Sequence, residues 1–455
     1  MSKNTKQETR TMNPFIPLVV MVILCTIVSY FVKPGAYDRE TIDGVTRVLA
    51  ESYHAVDRTP VSIFQMFRSI PEGMTATANM MFCIMIIGGV VEIYKRTDTV
   101  GAAINSVLKA SEKLSSQVII AIVMMVFFIL GGILGWSEHI IPFVPIIISL
   151  ALSLGYDSLV GMAISGFACL ISFAVAPFNM FTVGVSHTIA ELPMFSGWEL
   201  RFPALFCVWI LSLFWTMRYA KKVKADPSKS LVKDIDTSSL RIPVDPNLTF
   251  DAPKKVSALV LLVTILVTIY GILNLKWSYT EMATVFLMGA LIVCVVNHVG
   301  LNDGINMLLD GCRGAFAGAL IIGIARSVQW TMTTGGLVDP LVHSLSGLMN
   351  GASAYVSAVG MFIVNFFINA LIPSGSGQAT AVMPIMVPLA DMLHITRQTA
   401  VMAFQFGDGI SNTFWFTNGT LLIYLSLAKV PLKSWYKFVL PLQGMFLIMQ
   451  LVFLY

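Results

Sequence analysis

The chain has 455 residues, 56% of them hydrophobic and only 12% charged, with a mean hydropathy of +0.78. A water-soluble domain carries about twice that share of charge, so ordinary soluble folding is excluded. The net charge of +4 comes from basic loops between apolar runs; no Lys/Arg face with interleaved aromatics occurs, which excludes nucleic acid as a partner.

Residues 1–12 read as a cytoplasmic tail, since Lys3, Lys6 and Arg10 precede a first, uncleaved span at about Pro14 to Val32. The polar stretch from Lys33 to Pro60 is expected outside, as a small cap. A second span, about Gly73 to Tyr94, returns to Lys95-Arg96, and an amphipathic helix from about Thr99 to Leu114 is expected along the membrane surface. Two short apolar arms then flank "GGILGWSEH". That pattern predicts a re-entrant hairpin over about residues 117–156, because irregular backbone at membrane depth is tolerated only inside protein or against a wet cavity.

A span from Ser158 is interrupted at "VAPFNMF", and a further span, about Leu200 to Tyr219, leads into a polar, lysine-rich linker over 220–255. A connecting span occupies 256–278. Spans follow at about Thr280 to His298 and Gly314 to Met332, then a second hairpin over about residues 352–394 with "PSGSGQAT" at its tip. A span from Gln398 is interrupted at "GDGISNTFWFTNG", and a last span covers about Lys437 to Leu454. The six cysteines (Cys25, Cys83, Cys169, Cys207, Cys294, Cys312) form no CxxC and read as small packing residues.

The order repeats itself. "IIGGVVEIYKRTDTVG" (Ile86 to Gly101) parallels "IIGIARSVQWTMTTGG" (Ile321 to Gly336), and "PIIISLALSLGYD" (Pro145 to Asp157) parallels "PIMVPLADMLHIT" (Pro384 to Thr396). With the dense lysine clusters kept on the cytoplasmic side, the halves 13–219 and 279–455 have opposite orientation. The expected fold is therefore an all-α integral membrane protein of two inverted repeats, each with a re-entrant hairpin and a broken transmembrane helix. Such repeats mark alternating-access transporters, whose site lies near the midplane where the repeats meet.

The stretch "LIPSGSGQATAVMPIMVPLADMLHITRQTAVMAFQFGDGISN" (Leu371 to Asn412), with "PGAYDR", "LGYDSLVG" and "AELPMFSGWELR", resembles the YfcC-like branch of the anaerobic C4-dicarboxylate carrier (DcuC) family. The resemblance covers essentially the whole chain. It implies membership of the ion transporter superfamily: homodimeric, elevator-type carriers of a bacterial inner membrane, with names divided between basic amino acids and dicarboxylates. The sequence departs from the expected Asn-Pro-Phe-Thr at Asn179-Met180-Phe181-Thr182, and from a Pro-Thr-Ser-Gly-like break at Phe416-Thr417-Asn418-Gly419.

The residues point to a site on their own account. Gly131, Gly132 and Gly135 permit a tight first tip, where Trp136, Ser137, Glu138 and His139 supply polar groups; Ser374, Gly375, Ser376, Gly377 and Gln378 do so at the second. Helices starting at such tips present free N–H groups to a carboxylate. Asn179 and Thr182 at one break, and Asp408, Asn412, Thr417 and Asn418 at the other, complete the candidate substrate site. Asp408, Ser411, Asn412 and Thr413 are candidate Na⁺ ligands. Ionisable groups within the hydrocarbon cost about 3 kcal/mol unless paired or hydrated, which singles out Glu138 and Asp408 for a substrate ammonium, Na⁺ or a coupling proton.

Arg326 is expected to neutralise an acid, Asp391 reads equally as a cap or a ligand, and Glu92 is expected to snorkel. The acids favour an amino acid over a C4-dicarboxylate as substrate. An intramembrane aspartyl protease would use Tyr156-Asp157 with Gly407-Asp408, but Gln405 and the missing Pro-Ala-Leu oppose it, and no HExxH is present.

Overall fold

The computed structural model describes residues 13, 15–42, 45–48, 52–111, 113–242, 245, 248–275, 277–347 and 353–455; the tail over 1–12 lies outside them. Among the described residues, seven helices are long and apolar enough to cross a membrane.

One packing group is built from α1 (Phe15–Val28), α2 (Ile63–Ala76), α3 (Ala78–Arg96), α11 (Ala252–Leu275), α12 (Tyr279–Val296) and α13 (Leu301–Thr334). α2 starts on a Ser62 capping box, in which Ser62 accepts from the Gln65 N–H at 3.2 Å and Gln65 Oε1 accepts from the Ser62 N–H at 2.8 Å. α13, with 34 residues, is the longest helix. At 1.5 Å per residue it spans about 50 Å, well beyond the hydrocarbon. The expected span at Gly314 to Met332 is only its apolar part. Its polar start is fastened to α3, where Asp310 takes Arg96 and Arg313, each at 2.7 Å. Glu92 pairs with Lys95 at 2.6 Å and Arg96 at 3.0 Å, so it closes an ion-pair cluster instead of snorkelling.

α3 and α13 approach closely because small residues meet at their crossing. A Cβ on Gly89 would lie 2.5 Å from the Leu308 carbonyl oxygen, and one on Gly311 would lie 2.6 Å from the Gly89 Cα. In lipid, where apolar side chains gain little from meeting one another, such stripes bring backbones into contact.

The second group holds the hairpins and the broken helices. α5 (Ser116–Leu134), a 3₁₀ turn (Glu138–Phe143) and α6 (Val144–Ser153) occupy the place of the first expected hairpin, although α5, with 19 residues, is not a short arm but long and apolar enough to cross a membrane; α15 (Ala354–Ile368) and α16 (Gly375–Met392) occupy the place of the second. The first broken helix comprises α7 (Ser158–Met162), a π turn, α8 (Ala168–Phe173), the break, a second π turn (Met180–Gly184) and α9 (Val185–Ile189). The second comprises α17 (Arg397–Ser411), its break and α18 (Gly419–Leu427). α10 (Trp198–Ala225) and α19 (Leu432–Phe453) pack together beside them.

The two broken helices carry corresponding caps. Asp157 caps α7 through the Val160 N–H at 2.8 Å, and Thr396 caps α17 through the Thr399 N–H at 3.0 Å. Asn179 caps the segment after the first break, accepting from Phe181 at 2.9 Å; Asn418 caps α18, accepting from Leu421 at 2.9 Å. Both pairs, and the left-handed residues Gly155 and His394, recur at one and the same spacing along the chain.

Two features depart from the all-helical expectation or refine it. Residues of the polar stretch between Lys33 and Pro60 form two short antiparallel ribbons, β1 (Gly35–Ala36) with β4 (His54–Ala55), and β2 (Arg39–Ile42) with β3 (Val45–Val48). The second ribbon is rich in the strand-forming residues threonine, valine and isoleucine. The cap rests on α14 (Val338–Gly347): Asp339 accepts from the Tyr37 N–H at 3.1 Å and from Arg39 at 2.6 Å, and His343 stacks on Tyr53 at 3.8 Å. Burial, then Tyr53 and Asp339, push the Tyr37 phenol up to about 12.

The linker is fastened to the first hairpin. Ser230 donates to Asp157 at 2.6 Å, Arg241 donates to the Leu152 carbonyl at 3.1 Å, and the Ile242 N–H donates to Ser149 at 2.8 Å. α4 (Thr99–Ala110) occupies the place expected for the surface helix.

Candidate functional site

Both tips and the second helix break open into one cavity of about 280 Å³. The first tip brings Ser137 and Glu138; the second brings Pro373, Ser374, Gly375 and Ser376; the break brings Asn412, Asn418 and Thr420. Leu170, Phe173 and Phe181 come from either side of the first break, Thr77 and Met80 from the α2–α3 junction, Tyr279 from the start of α12, and Arg326 and Gln329 from α13. The cavity therefore lies between the two packing groups.

The first tip turns because Gly135 adopts φ +65°, and a Cβ there would lie 2.8 Å from the Asn179 side chain. It is held from two sides. Cys169 donates its thiol to the Trp136 carbonyl at 3.0 Å, and Tyr424 donates its hydroxyl to the Ser137 carbonyl. Glu138 accepts from Thr420 at 3.2 Å and from its neighbour Ser137. This tip leads into a 3₁₀ turn, so it offers no α-helical N-terminus to an anion; only the second tip does, where α16 begins on its Ser374 cap.

The second tip presses on both breaks. A Cβ on Gly375 would meet Thr182 Cγ2 at 2.6 Å and Asp408 Oδ2 at 3.5 Å. Beneath it runs a buried amide network: Asn369 donates to the Asp408 carbonyl at 2.8 Å, to Ser411 at 2.6 Å and to Asn412 Oδ1 at 2.8 Å, and Asn418 donates to Asn412 Oδ1 at 2.8 Å. The Asp408 side chain is wholly buried, and among the described residues neither carboxylate oxygen has a hydrogen-bond donor or an ion-pair partner. An isolated buried carboxylate costs several kcal/mol unless a proton or a cation neutralises it.

Of the expected substrate residues, Ser137, Glu138, Ser374, Gly375, Ser376, Asn412 and Asn418 line the cavity. The others stand behind it. Trp136 is buried and stacks on His139 at 5.3 Å, which stacks in turn on Tyr279 at 5.0 Å. Asn179 serves as a cap, Thr182 is buried beside Gly375, and Gly377 adjoins Gln329. Gln378 donates to the Asn365 carbonyl at 3.0 Å, and Thr417 is buried with an unpartnered hydroxyl. Among the expected cation ligands, Ser411 donates to the Asp408 carbonyl at 2.8 Å, whereas Thr413 faces α19, donating to the Ile410 carbonyl and accepting from Gln443.

Two expectations for charged groups resolve differently, and a further acid proves structural. Arg326 neutralises no acid; it donates to Gln329 and faces the cavity. Asp391 pairs with Arg397 at 2.8 Å, and Arg397 also reaches Glu191 at 3.2 Å. Asp157 takes the Tyr219 hydroxyl and the Ser230 hydroxyl, each at 2.6 Å, so it is engaged as a structural anchor. Thr420, Tyr279, Gln329 and Asn369 were not singled out in the sequence. Thr420 sits two residues past the Asn418 cap, which is the signal that could have found it; the rest carry none.

An integral membrane helical bundle with paired hairpins and broken helices around a polar cavity has the form of a solute carrier. The chain belongs to the C4-dicarboxylate anaerobic carrier (DcuC) family, which matches it over residues 13–455. It is therefore a member of a transporter family and not of an enzyme family. It is 29% identical over 408 residues to an uncharacterized protein of Haemophilus influenzae, covering 87% of this chain and 79% of that one. It is 28% identical over 478 residues to YfcC of Escherichia coli, covering 95% and 93%; that protein is provisionally named a basic amino acid antiporter.

Among solved structures, the chain is similar to the YdaH transporter of Alcanivorax borkumensis, with a TM-score of 0.45, 13% identity and 97% of each chain covered. It is similar also to MtrF of Neisseria gonorrhoeae, described within a class of antimetabolite efflux pumps, with a TM-score of 0.45, 12% identity, and 98% and 95% covered. Both scores are too low to carry a conclusion about this chain.

Proposed function

We propose that the protein is a secondary active carrier for a small carboxylate-bearing solute, an amino acid and foremost a basic one, taken up or exchanged by alternating access. The single observation that carries this reading is the cavity between the packing groups, where both hairpin tips and a helix break present polar groups and one acid, Glu138. Asp408, buried behind that cavity with no side-chain partner among the described residues, supports H⁺ or Na⁺ as coupling ion. The relative named for basic amino acid antiport supports the substrate class. A C4-dicarboxylate is the second reading, favoured by the family's description.

In this proposal the two halves are inverted repeats. The hairpin group moves as an elevator against the α13 group within a homodimer of the bacterial inner membrane, with the N-terminus cytoplasmic. The charge distribution supports that orientation.

The test is uptake into proteoliposomes of radiolabelled arginine, ornithine, a neutral amino acid and succinate, each with and without a Na⁺ or pH gradient. A basic amino acid is expected to accumulate, and Glu138→Gln is expected to lower its uptake at least tenfold. Succinate transport that Glu138→Gln leaves intact would replace this reading with the dicarboxylate one.

A further inference from the structure

Among the described residues, the cavity lining holds one acid, Glu138, and one base, Arg326. They sit on different elements and do not pair: Glu138 takes Ser137 and Thr420, and Arg326 takes only the side-chain oxygen of Gln329. A guanidinium has five donors in a planar fork suited to a carboxylate. At membrane depth such a group is costly unless it pairs or lines a wet cavity, and here a neutral amide takes up one nitrogen and no acid answers the charge.

We infer that Arg326 is the residue that selects for a free carboxylate on the solute. This rests on the carrier reading above. The neighbourhood is suited to an anion in a second way, since Gln329 lies 2.9 Å from the position of a Cβ on Gly377, in the first turn of α16. The Ser374, Gly375 and Ser376 backbone at that helix start lines the same cavity and adds the positive end of the α16 dipole. Glu138 is left for an ammonium. One base and one acid suit a zwitterion: an α-amino acid satisfies both groups, a dicarboxylate leaves one carboxylate facing Glu138, and a diamine leaves Arg326 unanswered. Arg326 also belongs to the α13 group whereas Glu138 belongs to the hairpin group, so the solute in this conformation bridges the two.

The experiment uses the full-length protein in liposomes, with ornithine uptake competed by ornithine methyl ester and by putrescine. In the wild type both competitors are expected to be at least about tenfold weaker than ornithine, the scale of a lost charge-assisted hydrogen bond. In Arg326→Gln the ornithine KM is expected to rise by about that factor while the two competitors keep their affinities, so the preference collapses; Arg326→Lys is expected to restore part of it. A merely structural arginine would lower the amount of active carrier without changing these ratios. Retention of the wild-type preference in Arg326→Gln overturns the assignment. If the wild type carries succinate and not ornithine, the amino-acid reading fails separately. Arg326 is then tested by the same comparison of succinate with dimethyl succinate, and an unchanged preference again overturns it.

Discussion

At the scale of single residues, Asp408 has the most distinctive surroundings. Its carboxylate is buried under Gly375, with amide and hydroxyl groups turned toward its backbone carbonyl instead of its side chain. If it carries the coupling ion, Asp408→Asn is expected to abolish accumulation driven by a Na⁺ or pH gradient while leaving counterflow exchange in place. Gradient-driven accumulation at the wild-type level would remove it from the coupling step. Arg201 is the complementary case, a buried cation satisfied by neutral oxygens: Gln405 at 2.9 Å and the Ser196 carbonyl at 2.9 Å. Gln405 in turn donates to the Ala176 carbonyl at 2.7 Å, so the arginine holds the first break against α17. Arg201→Leu strands these oxygens and is expected to destabilise the protein by about 2–3 kcal/mol, read as a lower Tm in detergent; an unchanged Tm would show the tie to be dispensable. Nothing in the sequence set Arg201 apart from a loop-end arginine, because its side-chain partners Gln405 and Gln398 lie 204 and 197 residues along the chain.

At the scale of elements, the helix breaks and tips were legible because Gly-, Ser- and Asn-rich segments interrupt the apolar runs, whereas α5, read as a short arm, has the 19 residues of a full span. The same residues cap the helices that follow. Less legible were the elements whose polarity contradicts their role. The start of α13 carries Asp303, Asp310 and Arg313 and reads as a loop until Arg96 is placed beside it. α2 contains Pro71, which masks its helical period. The cap strands are too short for an alternating pattern to register. The α3–α13 crossing yields a further expectation. Gly89→Leu places side-chain atoms where the Leu308 carbonyl already stands, and is expected to cost about 1–3 kcal/mol through forced separation of the helices. The measurement is detergent-solubilised Tm against a lipid-facing control, Val295→Leu; equal values would mean the crossing has slack.

At the scale of the whole molecule, two groups of helices meet at a polar cavity, and the polar segments between helices are fastened to the bundle. The cap is bound to α14 and the linker to the first hairpin. The division into packing groups was not readable in the sequence, since it depends on which helix faces oppose one another. Orientation is open to direct measurement. In a cysteine-free background, Ser228→Cys is expected to be shielded from an impermeant maleimide in intact cells, and Asp57→Cys is expected to react. The reverse pattern would invert the proposed topology.

The fastened linker also sets a mechanical limit. Ile242 is tied to Ser149 in the first hairpin, and Leu248 is tied to Asn105 of α4 at 2.9 Å. Five residues lie between those anchors, a leash of six backbone steps that reaches at most about 20 Å when drawn straight. Any stroke of the hairpin relative to α4 that keeps both ties must end within that reach. A longer stroke has to release one of them, which makes the Ser149 and Asn105 bonds the place where travel would be felt first.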